Sequence, residues 1–209
     1  MTRKEKLDII LKEKMVAIVR VADQNNAART LGHLIDAGVK VLEITSNTPG
    51  YLEEIRRISG AHTEVLVGAG TVTNVQTAQA SLDAGAQFLV SPNVNMEVIK
   101  IAHKHDVPVL MGALTPTEVS EAHENGADII KLFPANSMGI GYFKAIKAPL
   151  DHVKFFVVGG INLENTDDWM QAGAHGIGVG SVLTGDKGNY SISDTTAIAR
   201  SFTSILKKY

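Results

Sequence analysis

The sequence predicts a (β/α)₈ barrel preceded by one extra helix. Three observations carry that expectation. Eight aliphatic or β-branched runs begin at intervals of 20 to 25 residues, the length of one strand, one helix and two loops. Most of these runs lack polar alternation, as strands covered on both faces do. Four connecting segments close on glycine just before a strand, where a left-handed helix C-cap belongs.

Taken in order, residues 2–13 read as an amphipathic helix ahead of the first strand. The strand runs are 15–20 (MVAIVR), 39–45 (VKVLEIT), 64–71 (EVLVGAGT), 87–92 (QFLVSP), 107–112 (VPVLMG), 129–134 (IIKLFP), 154–160 (KFFVVGG) and 176–181 (GIGVGS). Helices close at Asp36-Ala37-Gly38, Asp83-Ala84-Gly85, Glu124-Asn125-Gly126 and Gln171-Ala172-Gly173. Asp23, Thr73, Asn95, Thr117 and Asn162 stand where helix N-caps are expected. A glycine-rich loop, Thr184-Gly185-Asp186-Lys187-Gly188, and a final amphipathic helix complete one barrel domain over residues 1–209. The alternative is an open doubly wound sheet, but no G-x-G-x-x-G fingerprint follows the first strand.

Bulk composition narrows the function. At 209 residues, 44% hydrophobic and 20% charged, the chain can bury a sizeable core. A formal net charge of −2 leaves no global footprint for nucleic acid or anionic membranes. Cysteine is absent, which removes disulfides, thiolate nucleophiles and Cys-based metal sites together. No apolar run approaches membrane length and no apolar segment follows the charged first residues, so a cytoplasmic setting is expected.

Barrel chemistry collects at the C-terminal ends of the strands. Lys40, Glu64, Asp128 and Lys154 are strand starts and belong to the opposite, stability face. Arg20, Glu43 and Lys131 remain. Lys131 interrupts an otherwise apolar strand, where an ammonium costs several kcal/mol to desolvate. A site that favours the neutral amine lowers that cost and yields the nucleophile of a Schiff-base enzyme. The other reading is a lysine that snorkels from a strand end. Period-two alternation puts Val41, Glu43 and Thr45 on one face, and Ile129, Lys131 and Phe133 on one face. Glu43 and Lys131 can therefore meet across the barrel, as a catalytic pair or a structural ion pair. Arg20 is a cation for a substrate anion or a surface arginine.

The histidines argue against a catalytic metal. His33, His103, His105 and His123 fall on helices, while His62, His152 and His175 lie in loops ahead of strands. None joins a carboxylate at the catalytic end, as a metal-dependent epimerase requires. Gly159-Gly160 after strand seven, and Gly178 with Gly180-Ser181 after strand eight, stand where barrels commonly bind phosphate. Alternatively, these glycines only relieve crowding at barrel corners. Gly68-Ala69-Gly70-Thr71 gives a weaker signal of the same kind, with a hydroxyl on Thr71.

In order, LEIT with Glu43, VGAGTV (67–72), FLVSPN (88–93), TPTE (115–118), KLFPA (131–135), VGGI (158–161) and GVGS (178–181) resemble the 2-keto-3-deoxy-6-phosphogluconate (KDPG) and 4-hydroxy-2-oxoglutarate (KHG) aldolase family. The resemblance implies a metal-independent class I aldolase, free of organic cofactors and trimeric, acting on a small 2-keto acid. It implies Lys131 as the Schiff-base lysine and Glu43 as the general acid/base. Thr71 and Pro92 match pocket residues near the pyruvyl part and Phe133 a pocket wall; Gly160 and Ser181 match the phosphate end. Asn47 stands where gluconate members often carry a carboxylate-binding arginine, a role Arg20 fits instead. Val158 replaces the threonine of a Thr-Gly-Gly segment. That valine, and Asn47 followed by Pro49, resemble the 2-keto-3-deoxy-6-phosphogalactonate branch, which prefers the opposite C4 configuration.

The expected reaction is cleavage of a 2-keto-3-deoxy-6-phospho sugar acid, gluconate- or galactonate-derived, to pyruvate and glyceraldehyde 3-phosphate. Cleavage of 4-hydroxy-2-oxoglutarate to pyruvate and glyoxylate is a further expectation. Two other readings are a phosphosugar isomerase or epimerase and a non-catalytic sugar-phosphate binding barrel.

Overall fold

The computed structural model describes residues 1–184 and 192–209. Its strands close into a parallel barrel in chain order. They are β1 (Met15–Val19), β2 (Val41–Thr45), β3 (Leu66–Gly70), β4 (Leu89–Val90), β5 (Val109–Ala113), β6 (Ile129–Leu132), β7 (Phe155–Val158) and β8 (Gly176–Val179). Between and around them run α1 (Arg3–Glu13), α2 (Gln24–Asp36), α3 (Tyr51–Ala61), α4 (Val75–Asp83), α5 (Met96–Lys104), α6 (Pro116–Glu124), α7 (Ala135–Lys147), α8 (Thr166–Gln171), α9 (Ser181–Thr184) and α10 (Ile192–Leu206). The predicted barrel and its leading helix are present. Gly185 to Gly188 of the predicted loop lie outside the described residues.

Local chemistry sets these boundaries. The four helix-closing glycines, Gly38, Gly85, Gly126 and Gly173, all take positive φ. Asp23 and Asn95 cap α2 and α5 as expected. Three other caps are displaced. Asn74, not Thr73, caps α4, because its amide oxygen reaches Thr77 N–H at 2.8 Å from extended backbone. Thr115, not Thr117, caps α6: Pro116 takes the first turn, where no N–H is needed, and Thr115 forms a capping box with Glu118. Asn162 caps only a turn, accepting from Glu164 and Asn165, and α8 starts after Asn165. The fourth strand is shorter than its run, which meets Pro92 and its missing N–H.

Alternation along the strands divides the core into two clusters. Residues such as Ala17, Leu42, Ile44, Val67, Ala69 and Val109 face the helices. Val16, Ile18, Val41, Leu66, Phe88, Leu110, Ile129 and Phe156 fill the lumen. Ile10 of α1, fully buried, joins the lumen cluster, so α1 stoppers the N-terminal end of the barrel. Arg3 Nε fixes that helix to buried Asp128 Oδ1 at 2.8 Å, and Asp128 also accepts from Val109 N–H. This strand-start carboxylate serves the stability face.

Candidate active site

At the other end of the lumen the strands give way to a cavity of about 550 Å³. Every site residue predicted from the sequence lines it: Arg20, Glu43, Thr71, Pro92, Lys131, Phe133, Val158, Gly159, Gly160, Gly180 and Ser181. Asn47, Ile18, Ile161, Gly178 and Thr184 line it too.

Register puts the two ionisable lumen residues on opposite walls. Glu43 of β2 pairs with Ile18 and Gly68, while Lys131 of β6 pairs with Gly112 and Phe156. Both are buried, Glu43 at 2% and Lys131 at 5% exposure. Neither side chain has a hydrogen-bond or ion-pair partner among the described residues, so both polar ends are left to the cavity. Native proteins rarely bury such groups unpaired without a reason in function.

Burial raises the Glu43 carboxyl above its usual range, against the pull of Lys131 and Arg20. Burial likewise lowers the Lys131 amine, opposed by Glu43 and assisted by Arg20. Both shifts favour the uncharged forms, which is the condition for a nucleophilic amine beside a proton carrier. The structural ion pair considered for Glu43 and Lys131 is not formed. Phe133 packs its ring 5.1 Å from Lys131 Nζ and is 37% exposed, forming an apolar wall at the mouth.

Close backbone approaches shape the rest. A Cβ on Gly112 would lie 2.2 Å from the Pro92 carbonyl carbon, so glycine lets the Pro92 loop bend over the lumen. Gly159 and Gly160 turn the chain after β7 with φ of +98° and +75°. Gly180 and Ser181 lead into α9, a single turn after β8 that the sequence did not announce. Arg20 is exposed just beyond β1, with Nη2 donating to Thr71 Oγ1 at 3.2 Å. Among the described residues no group of three His, Cys, Asp or Glu side chains is arranged to hold a metal ion, and no helix is long and apolar enough to cross a membrane.

The family model described as KDPG and KHG aldolase matches residues 7–200. The chain belongs to the KDPG and KHG aldolase family. It is 38% identical to the 2-dehydro-3-deoxy-6-phosphogalactonate aldolase of Escherichia coli K12 over 171 residues, covering 81% of this chain and 83% of that one. A solved structure described as native KDPGal superposes with a TM-score of 0.86 at 35% identity, over 93% of this chain and 94% of the other. A KDPG aldolase from Legionella pneumophila, solved with pyruvate captured as a covalent carbinolamine, gives 0.85 at 26% identity, over 94% and 97%.

For this family member, sequence reasoning missed Ile18, Ile161 and Thr184. Ile18 is marked by period-two alternation, as an inward residue two before Arg20. Ile161 follows the Gly159-Gly160 turn and Thr184 ends a four-residue helix, neither of which carries a periodic signal.

Proposed function

We propose that the chain is a class I aldolase cleaving a 2-keto-3-deoxy-6-phospho sugar acid to pyruvate and glyceraldehyde 3-phosphate, without a metal. One observation carries this reading: a buried amine and a buried carboxyl, neither with a hydrogen-bond or ion-pair partner among the described residues, face each other across a cavity at the catalytic end of the barrel. The carbinolamine held by the Legionella pneumophila relative supports covalent chemistry of the same kind here.

In this mechanism neutral Lys131 adds to the C2 carbonyl, and loss of water from the carbinolamine gives an iminium. Glu43, directly or through water, takes the C4 hydroxyl proton. The C3–C4 bond then breaks, its electron pair passes into the iminium as an enamine, and C4 leaves as the aldehyde. Protonation at C3 and hydrolysis release pyruvate and regenerate Lys131. Arg20, with Thr71, holds the carboxylate. Gly159, Gly160, Gly180 and Ser181 hold the phosphate through backbone amides and a hydroxyl. Fixing both ends keeps the reacting middle aligned.

The galactonate-derived configuration is the preferred substrate in this reading. Val158 offers methyl groups where a threonine would offer a hydrogen bond, and the Escherichia coli K12 relative carries the phosphogalactonate name. A side-by-side cleavage panel tests it, with gluconate-derived, galactonate-derived and 4-hydroxy-2-oxoglutarate substrates followed by pyruvate release. The galactonate-derived compound is expected to give the highest kcat/KM. Release of no pyruvate from all three would reject aldolase function.

A further inference from the structure

Ser46 does not line the cavity and plays no part in the chemistry above. It nonetheless holds the backbone of a residue that does. Its N–H donates to Gly70 O at 2.8 Å, and its hydroxyl donates to Thr71 O at 2.9 Å. Among the described residues it is the one donor to that carbonyl.

Thr71 needs such a hold. Its φ is +58°, the left-handed region, which a β-branched side chain rarely occupies. Such conformations persist where neighbours over-determine them, and they gather at functional sites. The reason for this one lies in the alternation of β3. Leu66 points into the lumen and Ala69 toward the helices, so residue 71 in extended backbone would continue on the helix-facing side. With the left-handed turn, Thr71 lines the cavity instead, and its Oγ1 accepts from Arg20. Val72 N–H, donating to Val90 O at 3.0 Å, fixes the chain on the far side of the turn.

We propose that Ser46 is a positioning residue for the carboxylate end of the site: its hydroxyl holds Thr71 in the turn that aims the Thr71 hydroxyl, with Arg20, at the 2-keto acid. The proposal rests on the aldolase reading. Ser46 sets affinity for the pyruvyl group through Thr71 and takes no part in bond breaking.

Pyruvate and borohydride provide the test, with the reduced lysine adduct measured by mass against pyruvate concentration. S46A is expected to raise the half-saturating pyruvate on the order of tenfold, the loss of the one bond that a correctly aimed Thr71 hydroxyl makes to a charged ligand. In cleavage assays KM rises by a similar factor while kcat changes less. S46T, which keeps a hydroxyl, restores half-saturation toward the wild-type value. In a T71V background, which has no hydroxyl to aim, S46A has no further effect on half-saturation. Unchanged half-saturation in S46A, no rescue by S46T, or an equal S46A effect in the T71V background would each overturn the role of Ser46 while leaving the aldolase intact. A wild-type chain that traps no pyruvate would overturn the aldolase reading, and this proposal with it.

Discussion

Gly70 and Glu43 approach so closely across β2 and β3 that a Cβ on residue 70 would lie 1.8 Å from Glu43 Oε1. Glycine at this position therefore defines where the carboxyl sits. Because the Glu43 side chain is confined in a packed lumen, it has to swing away to admit even one methyl group. G70A is expected to fold, at a cost of about 1–3 kcal/mol from overpacking. In the proposed mechanism, displacing Glu43 by roughly an ångström should slow solvent exchange of the pyruvate C3 protons by about 10²-fold. Exchange at the wild-type rate in G70A would mean that Glu43 is not the proton carrier.

Charges around Lys131 make opposite predictions for two variants. Burial has the largest effect and lowers the pKa of the amine; Glu43 opposes it by raising that pKa, and Arg20 adds to it by lowering the pKa further. E43Q should therefore let Lys131 stay neutral to lower pH, and R20M should confine the neutral amine to higher pH. Acylation of Lys131 by acetic anhydride across a pH series, read by peptide mass, reports the neutral fraction without needing Glu43 as a shuttle. Shifts of the same sign in both variants would contradict the electrostatic account.

Val158 supplies a test of substrate configuration. Its side chain projects into the cavity beside Gly178, where an added Cβ would meet Val158 Cγ2 at 2.7 Å. V158T keeps the shape and adds a hydroxyl. The ratio of kcat/KM for the gluconate-derived over the galactonate-derived substrate should rise about tenfold, the worth of one new hydrogen bond. An unchanged ratio would remove Val158 from stereochemical control.

Acid sensitivity is expected from a residue far from the chemistry. Half-buried His175 accepts a hydrogen bond at Nδ1 from Phe155 N–H at 3.1 Å, so the neutral ring is the form the fold uses. Burial, and then Lys147 and Lys154, lower its pKa below the ordinary 6.5. As pH falls through about 6.5, the unfolded chain takes up the proton first. Stability is therefore full above that pH and declines below it, by about 1 kcal/mol for the lost bond. Denaturant midpoints measured between pH 7.5 and 5 should fall more steeply in wild type than in H175Q. Parallel slopes would exclude His175 as the group responsible.

Fold and site differed in how legible they were. The barrel could be read because eight apolar runs recur at the spacing of a strand–helix unit, and because four of the connecting segments close on glycine, as at Gly38 and Gly126. Period-two alternation then separates lumen from helix face along each strand. That alternation also set Glu43 and Lys131, far apart in sequence, to face the same lumen. It fails at Thr71, where a turn held by Ser46 reverses the side chain, and no local preference of threonine signals that turn. Pro92 enters through family resemblance alone, whereas Phe133 shares the Lys131 face by alternation and Thr71 closes the glycine-bearing end of the third strand. The caps at Asn74, Thr115 and Asn165 differ from expectation by a few residues because several polar residues compete there, and only backbone geometry selects among them.

The central claim is that Lys131 acts as an uncharged nucleophile facing the cavity. Incubation with pyruvate and sodium borohydride near pH 7, followed by peptide mass mapping, tests it most directly. One reduced pyruvyl adduct is expected, on the peptide containing Lys131, and none in a folded K131M variant that has also lost turnover. An adduct on another lysine, or no adduct in the wild-type chain, would contradict it.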